Sequence, residues 1–450
     1  MLKRGEIIKG KCIDLSSEGK GVIKNGNDII FCDGLFLNEE AEVEILYSRA
    51  QVYFGKIKKL IVISKDRIQP RCPVCTSCGG CQFQQLSYDA QLVFKQKRVS
   101  EALKRIGHLN VKVNQTIGMD NPYNYRNKVQ IPFGFDKKHK IIYGMYKQNS
   151  HDLVPIKQCY IEDERAYHIL DTIKSLMIKH KIEPYNEDKG TGIIRHVLIR
   201  TSYHYKEVMM VLVTTTLNFP GQNNFVKELL KECREITTIV ENVNPRKTNV
   251  ILGNKEKVLF GKGHISDDIL GVNFNISASS FFQVNPIQTE TLYSLAIDGL
   301  ELSGNEIVLD AYAGVGTLGL IASKKAKEVV SVEIVKSAHL DGIRNAKRNH
   351  VNNVNFVLGD AGEYIHNSIM SFDAVIMDPP RKGSDETFLQ TLIDNKVKKI
   401  SYVSCNPETL ARDLAYLAKY YDILSVQPVD MFPMTSHVET VVVLKRKQSN

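Results

Sequence analysis

The chain lacks any window approaching the roughly 20 apolar residues that a membrane-spanning helix needs. Its opening residues, MLKRGEIIKG, hold no apolar core of a secretory signal. A membrane-embedded or secreted protein is therefore not the expectation, and a cytosolic one is. A strong excess of either charge is also missing: 59 Lys and Arg against 50 Asp and Glu leave a net charge of +9. That balance favours an anionic partner such as nucleic acid without demanding one. Nine cysteines, an odd count without a secretory signal, argue against a disulfide framework and for metal, cluster or nucleophile roles. The length leaves room for about three domains at ~150 residues each.

Residues 1–60 break into short runs such as Gly21-Val22-Ile23 and Asp28-Ile29-Ile30-Phe31-Cys32, punctuated by Gly19, Gly26 and Gly34. The pattern predicts a small all-β barrel. Lys3, Lys9, Lys11, Lys20, Lys24, Lys56, Lys58 and Lys59, with Tyr47, Tyr53 and Phe54 among them, offer the charge and stacking rings that an OB-like fold turns toward nucleic acid. Glu39, Glu40, Glu42 and Glu44 offset much of that charge, so a merely solvated face is the competing reading.

Cys72, Cys75, Cys78 and Cys81 recur every third residue, and Gly79-Gly80 lets the backbone fold tightly around them. Such a thiolate nest suits an iron–sulfur cluster or zinc. The run lacks the three-residue gap before the last cysteine seen in bacterial ferredoxins, so one ligand is free to come from elsewhere, with Cys159 the candidate. Residues 87–106 place Leu92, Val99, Leu103 and Ile106 at helical spacing, interleaved with Lys95, Lys97, Arg98, Lys104 and Arg105. An amphipathic basic helix is predicted, whose cations either grip phosphates or are simply solvated. From about 122 to 285 an α+β region follows, with strands near 127–133, 141–146, 193–201 and 207–216 and helices near 160–180 and 221–234. Arg126, Lys128, Arg195 and Arg200 beside these strands serve phosphates or guard sheet edges.

Beyond about 290, strand and helix alternate, which predicts a parallel, doubly wound sheet and divides the chain at 1–60, 61–285 and 286–450. Glu306–Ala313 runs into a glycine turn, Gly314-Val315-Gly316-Thr317-Leu318-Gly319, where the backbone can approach a ligand. The glycines fall at GxGxxG spacing, but the Asp310-x-Tyr312-x-Gly314-x-Gly316 form that they complete is read as a site for a ligand with an adenosine and no pyrophosphate, not for a dinucleotide. Glu333, ending the next strand, is placed for ribose hydroxyls. Asp360 is placed for an adenine edge or as a helix N-cap, and Asp378 ends a fourth strand in Asp378-Pro379-Pro380-Arg381 as a ligand contact or a turn residue. Together these point to S-adenosylmethionine. Ile400–Leu410, reading ISYVSCNPETL, puts Cys405 at a strand's carboxyl end before an Asn-Pro turn, where open α/β sheets bind ligands. Glu439 opens a final strand, Thr440–Leu444, either as a base or as a solvated edge charge.

These motifs, in this order, resemble bacterial 5-methyluridine RNA methyltransferases of the 23S ribosomal RNA type over essentially the whole length. The resemblance rests on an N-terminal segment similar to a TRAM domain, on Cys72, Cys78-Gly79-Gly80-Cys81 and Cys159, and on Ser280-Phe281-Phe282-Gln283-Val284-Asn285. It continues through Asp310–Gly316, Asp378–Arg381, Ser404–Leu410 and His437-Val438-Glu439. It implies an α/β chain with a TRAM-type OB-like barrel, a central α+β iron–sulfur domain and a C-terminal Rossmann-like methyltransferase domain. Cys72, Cys78, Cys81 and Cys159 would then hold a 4Fe-4S cluster, with Cys75 outside the usual ligand set. Gln283, Tyr312, Glu333 and Asp378 match positions that contact S-adenosylmethionine or the target base, while Thr317 and Asp360 stand where relatives often have asparagine.

Cys405 is the expected nucleophile and Glu439 the expected base. Carbon 5 of uracil is a poor nucleophile, and a thiolate adding at carbon 6 makes carbon 5 able to attack an electrophilic methyl. The carbon 5 proton must then leave so that the thiol is eliminated. The expected partner is 23S ribosomal RNA, with no DNA or membrane and a monomeric chain. A transfer-RNA T-loop enzyme is the nearest alternative; those that resemble this chain usually lack both the cluster cysteines and the TRAM-like segment. A silent RNA-binding assembly factor is the alternative from another class.

Overall fold

The computed structural model describes residues 2–148 and 150–448. Strands β1 (Ile7–Leu15), β2 (Gly21–Asn25), β3 (Asp28–Cys32), β4 (Glu40–Arg49) and β5 (Val52–Val62) close into a barrel in the order β1-β2-β3-β5-β4. Alternate residues point inward, as a period of two requires. Cys12, Ile23, Ile30, Cys32, Val43 and Ile45 fill the interior. At Gly55 a Cβ would stand 2.3 Å from Val43 Cγ1, so the barrel has room there only for glycine.

After the cysteine segment comes α1 (Tyr88–Arg105), whose N-cap Ser87 accepts from the Ala90 amide at 3.4 Å. The central sheet follows: β6 (Lys128–Phe135), β7 (Ile141–Tyr146), β8 (Leu153–Pro155), α2 (Arg165–Lys179), β9 (Ile194–Thr201), β10 (Val208–Thr214), α3 (Gln222–Glu232), β11 (Thr238–Val243) and β12 (Lys255–Phe260). Its seven strands run in the order β12-β11-β10-β9-β6-β7-β8. β9 and β10 are buried along their whole length, because α2 and α3 cover one face and the C-terminal region meets the other. A hairpin, β13 (His264–Ile269) and β14 (Val272–Ser277), leads to α4 (Pro286–Asp298).

The last layer is β15 (Ile307–Ala311), α5 (Thr317–Ala322), β16 (Glu328–Glu333), α6 (Lys336–Arg348), β17 (Val354–Leu358), α7 (Ala361–Asn367), β18 (Ala374–Met377), α8 (Glu386–Asp394), β19 (Lys399–Ser404), α9 (Pro407–Leu417), β20 (Tyr421–Val429) and β21 (Glu439–Arg446). The strand order is β17-β16-β15-β18-β19-β21-β20. β15 pairs in parallel with both β16 and β18, and the chain winds outward from it in opposite directions. That reversal opens a crevice at the carboxyl ends of the strands, where helices leave to opposite faces. β21 runs antiparallel to β19, so the start of β21 meets the end of β19: Thr440 pairs with Ser404. Glu439 and Cys405, 34 positions apart, are thereby brought to the same edge.

The cations of α1 differ from the phosphate-gripping expectation. Lys95 is fully buried and ion-paired with Asp430. Arg98 binds Glu408 and the Ser436 carbonyl, Lys97 pairs with Asp14 of the barrel at 2.8 Å, and Arg105 pairs with Glu101 of the same helix. Lys95, Lys97 and Arg98 thus anchor acidic partners from elsewhere in the chain, whereas Arg105, on the exposed end of the helix, pairs within it.

Candidate active site

The turn after β15 holds Tyr312 at φ +62°, Gly314 at +57° and Gly316 at +79°. A left-handed tyrosine is uncommon and marks a backbone held by its surroundings. The hold is visible: Tyr312's hydroxyl lies 2.9 Å from Ser384 Oγ, and the Gly314 amide donates to Glu333 Oε2 at 2.8 Å. Glu333's other oxygen accepts from the Val335 amide at 2.6 Å. Asp310 anchors the same turn from below, accepting from the Gly319 amide (2.9 Å) and Ser331 Oγ (3.1 Å). Burial pushes its carboxyl up to about 7.

This turn forms one wall of a cleft of about 460 Å³. Gln283, Tyr312, Gly314, Thr317, Asp378, Cys405 and Glu439 all line it. Two other expected contacts do not. Glu333 lies behind the turn as its backbone acceptor, and Asp360 caps α7, accepting from the Gly362 (2.8 Å) and Glu363 (3.1 Å) amides. Asp360 thus serves as an N-cap through Oδ1.

Cys405 stands between the end of β19 and Asn406, the N-cap of α9. Asn406 Nδ2 donates to the Arg381 carbonyl at 3.0 Å, and Thr409 Oγ1 reaches the same oxygen at 3.3 Å, so the Cys405 loop is tied to the Asp378–Arg381 turn. The thiol is pushed up to about 11, first by burial and then by Glu439 and Asp378, with Arg381 pulling it down. Glu439 is held well above the carboxylate range by burial and by Asp378, again opposed by Arg381. Burial alone pushes Asp378 up to about 7. Two acids and a thiol thus share one poorly solvated space in which Arg381 is the cation that acts on both Cys405 and Glu439, an environment that added positive charge would relieve.

A thiol at about 11 stays protonated across the neutral range. Alkylation of Cys405 in the free protein, followed by peptide mass spectrometry, is therefore expected to accelerate about tenfold per pH unit from pH 7 to pH 9. A rate that levels off by pH 8 would show the thiolate already formed.

A larger cleft, about 880 Å³, lies on the other side of the Arg126–Asn127 backbone. Asn127 seals the partition by donating from Nδ2 to the Gln283 carbonyl (3.1 Å) and from its amide to Val284 (2.9 Å). None of the expected catalytic or cofactor residues lines that second cleft.

The cysteine nest sits beside the segment that precedes Glu439. The charges of Cys72 and Cys78 act on Cys81, and those of Cys72 and Cys81 act on Cys159; Cys75 is influenced by Cys72 and Cys78. Burial pushes Cys81 up to about 12 and raises Cys159 as well. The Gly80 amide points at Cys78 Sγ (3.4 Å) and Gln84 Nε2 at Cys81 Sγ (3.7 Å). Cys81 and Cys159 pack against Met119, Tyr125, Ile161 and Met434.

Residues 87–447 match the model of the tRNA (uracil-5-)-methyltransferase family. The chain belongs to this family of S-adenosylmethionine-dependent RNA uracil-5-methyltransferases. An RNA methyltransferase of Listeria innocua is 44% identical over 99% of both chains, and one of Staphylococcus aureus is 41% identical over the same share. Among solved structures, the Pyrococcus abyssi tRNA (uracil-54, C5)-methyltransferase in complex with S-adenosyl-L-homocysteine superposes with a TM-score of 0.79. It is 29% identical, and the match covers 97% of this chain and 100% of that one.

The cleft is also lined by Phe281, Tyr293, Arg381 and His437, which were given no role from sequence, and by Arg126, which was read there only as a phosphate contact or an edge guard. Phe281, Arg381 and His437 stood inside quoted motifs, and their signal was adjacency to an assigned residue. Tyr293 lies on α4, which the periodicity did not reveal; its hydroxyl accepts from Gln283 Nε2 at 3.4 Å. Among the described residues no helix is long and apolar enough to cross a membrane.

Proposed function

We propose that the protein methylates carbon 5 of a uridine in 23S ribosomal RNA, with Cys405 as nucleophile and Glu439 as base. The observation that carries this reading is the opening of Cys405, Glu439 and the Tyr312–Thr317 turn into one cleft. S-adenosylmethionine supplies the electrophilic methyl group. Cys405 gives its thiol proton to solvent in the open cleft and adds to carbon 6 of the uracil as the thiolate, and the displaced π electrons make carbon 5 nucleophilic toward that methyl. Asp378 and Gln283, on the same walls, orient the uracil edge or the donor. Glu439 then takes the carbon 5 proton; the freed electron pair forms the 5,6 double bond as the carbon 6–sulfur bond breaks and the thiolate leaves. The base must leave the RNA stack to reach a thiol this far inside the cleft.

The thiols of Cys72, Cys78, Cys81 and Cys159 suit a 4Fe-4S cluster as the donor set, since soft sulfurs on one buried and three half-buried residues, with N–H groups aimed at two of them, favour such a group. In this reading it orders residues 72–86, and Cys75 remains a spare thiol. The barrel, with Tyr47 stacked on Phe54 at 4.7 Å and exposed lysines around them, serves as an RNA-contacting surface.

A transfer-RNA uridine is the second reading, favoured by the archaeal tRNA enzyme matching over 97% of this chain. That match spans the barrel and the cysteine segment, so these two features do not separate the substrates. Mapping of 5-methyluridine in ribosomal and transfer RNA, from cells with and without the gene, tests the assignment. Loss of the mark from 23S ribosomal RNA alone is the expected result; loss from the T-loop alone would overturn it.

A further inference from the structure

The proposed reaction requires the segments carrying Cys405 and Glu439 to keep one separation, and a stripe on α1 touches both. Tyr88, Gln91, Lys95 and Arg98 are spaced three, four and three residues apart, so they share one helix face. Tyr88's hydroxyl donates to Asp430 at 2.9 Å, and Gln91 Oε1 accepts from the Met434 amide at 2.9 Å. Lys95 donates to Asp430 and to the Phe432 carbonyl. Arg98 Nη1 donates to the Ser436 carbonyl at 2.9 Å, and its Nη2 lies 3.2 and 3.1 Å from the two oxygens of Glu408. Ser436 is three residues before Glu439, and Glu408 is three residues after Cys405 on the first turn of α9. Arg98 does not line the cleft.

We propose that Arg98 is a positioning residue for methyl transfer, its guanidinium fork holding the nucleophile helix and the base strand at a fixed separation. The proposal rests on reading Cys405 and Glu439 as nucleophile and base. A rigid fork suits the task because its two amino groups diverge at a set angle; a lysine presents one flexible point and cannot span both acceptors in the same way. A displacement of about 1 Å between reacting groups costs on the order of 100-fold in rate, so a strut remote from the chemistry can govern kcat. An ion pair that only stabilised the fold would leave kcat unchanged.

Steady-state methylation of an RNA substrate by the full-length protein tests this with Arg98→Ala, Arg98→Lys and Glu408→Gln. In Arg98→Ala, kcat is expected to fall ~10- to 100-fold, with KM for RNA and methyl donor within about twofold of wild type. Arg98→Lys should not recover the loss, and the Arg98→Ala/Glu408→Gln double variant should be no slower than Arg98→Ala alone. On RNA containing 5-fluorouridine, Arg98→Ala should still reach the wild-type yield of covalent adduct, more slowly. Wild-type kcat in Arg98→Ala, a loss confined to KM, or full recovery by lysine would overturn the proposal. If Arg98→Ala does not fold, Glu408→Gln at a half-buried carboxylate decides, and wild-type kcat there overturns it. Cys405→Ala is the control for the underlying reading: an adduct persisting in that variant removes the nucleophile assignment, whatever Arg98 does.

Discussion

Cys405→Ala is expected to lower methylation of RNA by roughly 10⁴-fold or more, the scale on which loss of a nucleophile acts, while binding of S-adenosylhomocysteine stays within a few-fold. The separation follows from the cleft: the cofactor-side wall is the Tyr312–Thr317 turn, fixed by Asp310, Glu333 and Ser384 and not by the thiol. On 5-fluorouridine RNA the wild type should form a covalent adduct stable on a denaturing gel, and Cys405→Ala none. Glu439→Gln should divide the reaction differently, since glutamine fills the same place and accepts no proton: methylated RNA stays attached to the protein. Normal turnover of Glu439→Gln would assign proton removal to another group, and His437, exposed in the same cleft, is the next candidate.

The largest expected change in stability is at Lys95. Its ammonium and the Asp430 carboxylate are both fully buried, and removing one partner leaves the other charged in a poorly solvated space. Lys95→Met should cost about 3–5 kcal/mol, read as a shift in urea or thermal midpoint. Tyr88 and the Phe432 amide still donate to Asp430, which places the loss toward the lower end. Pairing Lys95→Met with Asp430→Leu should restore part of it, because desolvation then falls on neither group. A Lys95→Met chain as stable as wild type would mean that Asp430 is neutral or hydrated in the fold.

How far the sequence could be read depended on whether the deciding partners were local. The glycine turn, the Asn-Pro break after Cys405 and the alternating strands of the C-terminal sheet are local patterns, and each element formed within a few residues of where its pattern placed it. α1 was legible as an amphipathic basic helix, yet the destination of its cations was not, because Asp430, Glu408 and Ser436 lie more than 300 residues away. α4 escaped notice for a related reason. Its buried residues include Gln288 and Thr289, and Gln288 Nε2 donates to the Ile117 and Asp430 carbonyls, so polar side chains occupy part of its inward face and blur the 3.6-residue period. Asp360 could be read as a cap or as a ligand contact from its position alone, and its acceptance of two amides through Oδ1 shows the cap.

The grip of α1 on residues 430–436 also has a consequence for the order in which the chain is made. Lys95 and Asp430 are separated by 335 residues, which a ribosome working at about 5–20 residues per second takes roughly 20 to 70 seconds to cross. Through that interval the polar stripe of α1 has no partner and its lysine stays in water. The barrel, whose pairings lie within the first 62 residues, can close long before. Cys405 emerges before the acid that α1 waits for, and Glu439 after it. A nascent chain can therefore close its barrel well before the edge that carries Cys405 and Glu439 is assembled, since Lys95 meets Asp430 only once nearly the whole chain has been made.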